Sequence, residues 1–113
     1  SPLCGVTIAS MGAACGILYL KDTPLEIIKD TITNNISNNM GVICDGAKSS
    51  CAMKIHSAVE SSLLSAAIAL NNNVIPYGIG IVGQDIEETI ENVGIVAEAM
   101  CPIDDAITKI MTK

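Results

Sequence analysis

Between Gly5 and Leu20 the chain runs without a charged residue, filling the stretch with alanine, glycine, serine and aliphatic side chains. A helix without a polar face is buried on most sides. The segment falls short of the roughly 20 residues that a bilayer span requires. It also lacks the basic n-region of a secretory leader. A buried helix is therefore expected, with Ala9, Gly12, Ala13 and Gly16 small enough to let neighbouring backbones approach closely. Composition agrees. Half of the 113 residues are apolar, yet there is no Phe, no Trp and only two Tyr. The core must be built from Ile, Val, Leu, Ala and Met, and nine glycines with many alanines favour packed helices over a sheet. The length allows one domain.

The remaining elements are punctuated clearly. Thr23 and Glu26 form a Thr-x-x-Glu capping box with Pro24 at the first helical position. The helix that follows sets Leu25, Ile28, Ile32 and Ile36 on one face. It ends in Asn34-Asn35-Ile36-Ser37-Asn38-Asn39, a turn-prone run expected to fray. After the segment Gly41–Cys51, Ser49 or Ser50 can cap a third helix from about Cys51 to Leu70. Ile55, Val59, Leu63, Ala66 and Leu70 form its apolar line, and Met53, Leu64 and Ile68 form a second stripe. Asn71-Asn72-Asn73 stops it. Val74–Gly83, with Pro76, Gly78, Gly80 and Gly83, reads as an extended loop. Asp85 with Glu88 is a second capping box, opening a helix whose inward face is Ile86, Ile90, Val93, Ala97 and Met100. Cys101-Pro102 breaks it, and a last helix over Pro102–Met111 carries Ile103, Ile107 and Ile110. The expected fold is all-α, about five packed helices with a cysteine loop before the third.

Charge excludes some functions. The net charge is −6 and every basic residue is Lys, so the Arg-rich or aromatic-interleaved basic patch of a nucleic-acid binder is absent. No segment suggests a membrane protein. Gly78-Ile79-Gly80 followed by Gly83 spells G-x-G-x-x-G, but no strand–helix–strand unit surrounds it, so a dinucleotide site is not expected. Five cysteines are an odd number, and nothing points to secretion. Reduced cytoplasmic thiols, some of them bound to metal, are the expectation.

The chemistry concentrates in Gly41-Val42-Ile43-Cys44-Asp45-Gly46-Ala47-Lys48-Ser49-Ser50-Cys51. Helix starts carry unsatisfied N–H groups and partial positive charge, which favour thiolates. Cys4, at the start of the first helix, can join Cys44 and Cys51 around one metal centre. Soft thiolates suit zinc or an iron–sulfur cluster. A three-ligand site keeps one coordination position open, as catalytic metals do. Cys15, mid-helix, reads as core, and Cys101 as structural. His56, the only histidine, can face the metal or sit on the surface. Asp45 and Lys48 either pair as a solvated turn or serve the site, Lys48 offsetting negative charge while Asp45 or the Gly46 N–H sets the loop.

The run from Gly41 to Cys51, continued by Ala52-Met53-Lys54, closely resembles a signature of the L-cysteine desulfidase family. That family includes many uncharacterised bacterial proteins and is related to the alpha part of iron–sulfur L-serine dehydratases. The resemblance continues into Gly78–Gly83 and Asp85-Ile86-Glu87-Glu88-Thr89-Ile90, and covers essentially the whole chain. It implies a 4Fe-4S cluster held by Cys4, Cys44 and Cys51, with Asp45, Gly46, Lys48 and Ser49 as candidates for the substrate and cluster loop. It implies conversion of L-cysteine and water to pyruvate, ammonia and sulfide, with the open iron as Lewis acid and a base removing the α-proton.

Family members are several times longer, and their acid/base residue lies in the N-terminal part. Residues 1–113, which begin at Ser1 without a Met, are therefore expected to be a single C-terminal cluster-binding domain that is inactive alone. Its implied partners are the N-terminal part of the parent chain and an amino-acid substrate, L-cysteine or L-serine, with a homo-oligomer left open. Two other readings remain: a binding domain around a structural metal, and an all-α scaffold with free thiols.

Overall fold

The computed structural model describes residues 2–113. Five helices follow in order: α1 (Gly5–Leu20), α2 (Leu25–Asn39), α3 (Cys51–Leu70), α4 (Ile86–Ala99) and α5 (Cys101–Met111). The fold is all-α. Helix α3 packs against both α1 and α2, α1 also touches α2, α4 packs on α2, and α5 packs on α4. The body measures 49 × 29 × 17 Å.

The helix ends show why some sequence signals held and others did not. Asp85 caps α4, its Oδ1 accepting from Glu88 N–H at 2.8 Å, while Glu88 Oε2 reaches back to Gln84 N–H at 2.5 Å. The expected box therefore forms, with its return bond one residue early. Thr23 caps nothing. Its N–H donates to Leu18 O at 3.0 Å, and Asp22, at φ +57°, donates to Tyr19 O at 3.1 Å. These two bonds close α1 in a Schellman motif. Asn72, at φ +61°, closes α3 in the same way through Asn73 N–H to Ile68 O. Ser50 does not cap α3 either, because its backbone is already helical (φ −67°, ψ −9°) and a capping side chain needs an extended one. Val74–Gly83 is a loop, as expected.

The main correction concerns α2 and α3. Asn34–Asn39 does not fray; it is helical, and Asn34 and Asn35 are buried. The buried face of α3 is Ala58, Ser62, Ser65, Ala66 and Ala69. Asn35 Nδ2 donates to Ser62 Oγ at 2.9 Å. Asn34 Nδ2 donates to Ser65 O at 3.3 Å, and its Oδ1 accepts from Ile75 N–H at 2.9 Å. Asn38 and Asn39 both donate to Ser61 Oγ. Among the described residues, no buried side-chain N or O lacks a partner. Each asparagine side chain thus finds on α3 the acceptor that solvent would otherwise supply, which is the condition for burying it.

Of the line expected to face inward on α3, only Ala66 does. Ile55, Val59, Leu63 and Leu70 are exposed, as are Met53, Leu64 and Ile68. Small residues and serines let α2 and α3 approach closely and push the larger aliphatic groups aside. Helix α1 departs in the same sense. It was expected to be buried on most sides, yet only Thr7, Ala14 and Leu18 are fully buried, because α2 and α3 both lie against one side of it.

Candidate functional site

The cysteine loop is held at three points. Its entry leaves the end of α2, with Val42 N–H donating to Asn39 O at 3.2 Å. Its middle pairs with the chain's start. Leu3 and Ile43 form an isolated antiparallel bridge, closed by Cys4 N–H to Val42 O at 3.0 Å and Cys44 N–H to Pro2 O at 2.6 Å. Its exit opens α3 through Cys51 N–H to Lys48 O and Ala52 N–H to Ser49 O, at 3.0 and 3.1 Å.

This pairing brings distant thiols together. Side chains alternate along extended backbone, so Cys4 and Cys44 fall on the face opposite Leu3 and Ile43, as diagonal neighbours about 7–8 Å apart. Cys4 is the buried N-cap residue of α1, and Cys44 is exposed. Cys51 is the first residue of α3, with its thiol 3.7 Å from Gly46 O. Two of the three thiols therefore sit at helix N-termini.

Lys54 ties the loop to α3, donating to Ile43 O at 2.7 Å and to Asp45 Oδ1 at 3.2 Å. Lys48 pairs with the other oxygen of Asp45. The hydrogen bonds from Lys48 and Lys54 hold the Asp45 carboxyl down at about 2. Asp45 in turn raises the Lys54 ammonium, and the thiols of Cys4 and Cys44 add to that rise. The ammonium thus lies within electrostatic reach of two of the three candidate ligands. Sequence reading left Lys54 out of the site. The signal was its position three residues after Cys51, which puts both on one face of α3.

Gly46 has φ +106°, and a Cβ built there would lie 2.7 Å from Met111 Cε. The loop needs glycine at this point, and the last residue of α5 lies over it. Ser49 is exposed at the loop's exit. Cys15 is half-buried, and burial pushes its thiol pKa up, as for a core cysteine. Cys101 is exposed at the start of α5, so it contributes no core packing. His56 is 73% exposed and lies 3.6 Å from Glu60 Oε1, a surface pair one turn along α3.

Three thiols are soft donors of the kind that bind zinc or an iron–sulfur cluster. Among the described residues, no three His, Cys, Asp or Glu side chains gather closely enough to hold one metal ion. Tetrahedral ligands at a Zn–S distance of about 2.3 Å would have to stand about 3.8 Å from one another.

A serine dehydratase alpha chain family model matches residues 1–107. The chain belongs to the serine dehydratase alpha chain family. Curated relatives match along almost the whole chain. A UPF0597 protein of Fusobacterium nucleatum is 48% identical across 100% of this chain and 27% of its own length. UPF0597 proteins of Shewanella halifaxensis and Elusimicrobium minutum are 46% and 44% identical, over 98% and 100% of this chain and 26% and 27% of their own lengths. The chain thus spans about a quarter of the length of these curated relatives. Their names state no activity. No solved structure matches. Among the described residues, no helix is long and apolar enough to cross a membrane.

Proposed function

We propose that this chain is the cluster-holding part of an iron–sulfur lyase that breaks down L-cysteine to pyruvate, ammonia and sulfide. The observation that carries the reading is the Leu3–Ile43 bridge, which sets Cys4 beside Cys44 and leaves both within reach of Lys54, one turn from Cys51. Membership of the serine dehydratase alpha chain family supports the same class of chemistry.

Cys4, Cys44 and Cys51 would hold the 4Fe-4S cluster. When bound, it would supply an iron with an open position as Lewis acid toward the substrate's departing β-substituent. The chain's own residues would do the rest of the local work. Lys54 offsets the negative charge of the thiolates and fixes the loop through Ile43 O. Asp45 holds Lys48 and Lys54 on the same side of the loop, where their charge favours the carboxylate of the amino-acid substrate. Gly46 provides the turn that carries the chain from Cys44 to Cys51. The base that removes the α-proton belongs to the portion of the family polypeptide beyond this quarter, so residues 1–113 act as one domain that requires it. L-serine is the alternative substrate, favoured by the family description, with water leaving in place of sulfide.

The test uses the longer polypeptide carrying this sequence, assayed anaerobically with L-cysteine and L-serine side by side. Pyruvate with stoichiometric sulfide from L-cysteine is expected. Pyruvate from L-serine alone would move the assignment to a dehydratase. Turnover of neither would overturn the lyase reading. Turnover of L-cysteine by residues 1–113 alone would refute the need for the remaining portion.

A further inference from the structure

The outer sides of α1 and α3 make up a large apolar surface that the cysteine loop does not use. Helix α1 has no charged residue, and α3 has none from Ser61 to Leu70. Helices of that composition are ordinarily surrounded, yet Ile17, Val59 and Leu63 are 48%, 44% and 54% exposed. These side chains line a groove of about 380 Å³ between α1 and α3, floored by Ala13 and Ala14.

The glycines of α1 are an independent sign. Gly12 and Gly16 lie inside the helix, where glycine costs stability relative to alanine. A Cβ at either position would meet nothing within 4 Å. Nothing among the described residues needs them. What they provide is a smooth outer face that another backbone can approach more closely than a Cβ would allow.

We infer that the α1–α3 groove and the glycine face of α1 seat apolar helices from the portion of the family polypeptide outside this chain. The relatives match over 26–27% of their own lengths at 44–48% identity, so about three-quarters of each is available to cover this surface. A second copy of the chain is a poorer occupant. A two-fold contact covers one self-complementary patch, whereas exposed apolar residues occupy both flanks of α3, Val59 and Leu63 beside α1 and Leu64 and Ile68 beside Asn34 and Asn38 of α2. The inference rests on the length relation to the relatives and not on the cluster.

The test co-expresses this chain with the unmatched portion of the Fusobacterium nucleatum relative. A one-to-one complex is expected, with α1 and α3 amides exchanging roughly tenfold more slowly than in the chain alone. Gly12→Leu and Gly16→Leu should each weaken the complex about tenfold or more, while leaving the helicity and Tm of the isolated chain unchanged or higher. A complex that tolerates both variants overturns the inference. So does a chain that self-associates through this face and is dissociated by them. Should co-expression yield no complex, a chimera with this chain in place of the relative's matched quarter decides. Exchange in α1 and α3 as fast as in the isolated chain overturns the inference, and roughly tenfold protection sustains it. Iron uptake is read separately. Lost docking with intact uptake counts against this surface alone, and lost uptake with intact docking counts against the lyase reading alone.

Discussion

Replacing Ser62 with alanine removes one hydroxyl and little volume from the seam between α2 and α3. Ser62 and Asn35 are each 2% exposed, and the hydroxyl accepts the Asn35 Nδ2 donor at 2.9 Å. Water cannot reach the orphaned amide without opening the seam, so the loss should approach the cost of a buried unsatisfied donor, about 1–3 kcal/mol. Unfolding entropy of about 2.1 cal/mol/K per residue gives about 240 cal/mol/K for 113 residues, so each kcal/mol moves Tm by about 4 °C. A loss near 2 kcal/mol therefore lowers Tm by about 8 °C, read by far-UV circular dichroism. Ser61→Ala is the control. Its hydroxyl accepts from the exposed Asn38 and from Asn39, which also donates to Asn35 O and Oδ1. Solvent and those alternatives replace it, so the cost should stay within about 0.5 kcal/mol. Asn35→Leu combined with Ser62→Ala removes donor and acceptor together and should recover part of the loss. Equal losses at Ser61 and Ser62, or none at Ser62, would refute the argument that paired amides fix the seam and thereby the two ends of the cysteine loop.

Gly46→Ala forces φ +106° on a residue with a Cβ and presses it on Met111. Strain of about 1–3 kcal/mol is expected as a lower Tm, with Met111→Ala relieving only the steric part; an unchanged Tm would contradict this. Asp30 has its carboxyl pKa raised, first by burial and then by Glu26. An acid raised in the folded state contributes stability below its unfolded pKa and loses it as pH rises through the folded one. Asp30→Asn should therefore raise Tm slightly at pH 7, and the gain should vanish below the ordinary Asp value of about 3.9; a lower Tm at pH 7 would contradict the sign. Lys54→Met removes the bonds to Ile43 O and Asp45. The amide of Cys44, which donates to Pro2 O, should then exchange faster by roughly tenfold, while α4 keeps its protection; uniform change across the chain would mean that Lys54 stabilises the whole fold and not the loop.

The helices were legible from local signals, although the caps expected at Thr23 and Ser50 do not form. The absence of charge from Gly5 to Leu20, the Asn71–Asn73 stop and the Asp85–Glu88 box all act within a few residues. Which face turns inward was not legible on α3. Periodicity ranks Ile55, Val59 and Leu63 as core, but the partner helix presents asparagines, and these select serine and alanine. That choice depends on α2 and α3 together. The same limit applies to the site. Cys4, Cys44 and Cys51 could be picked as thiols near helix starts, whereas Lys54 enters only because the Leu3–Ile43 bridge brings the loop carbonyl to it. Met111 reaches Gly46 through the placement of α5, which no local pattern records.

The central claim is that Cys4, Cys44 and Cys51 hold one cluster between them. Anaerobic reconstitution of the chain with iron and sulfide, followed by iron and sulfide analysis and visible absorption, tests it directly across single Cys→Ser variants of all five cysteines. The account predicts a 4Fe-4S centre in the wild type, retained in Cys15→Ser and Cys101→Ser and lost or severely diminished in Cys4→Ser, Cys44→Ser and Cys51→Ser. Full cluster content in any one of those last three, or its loss on removal of Cys15 or Cys101, would contradict it.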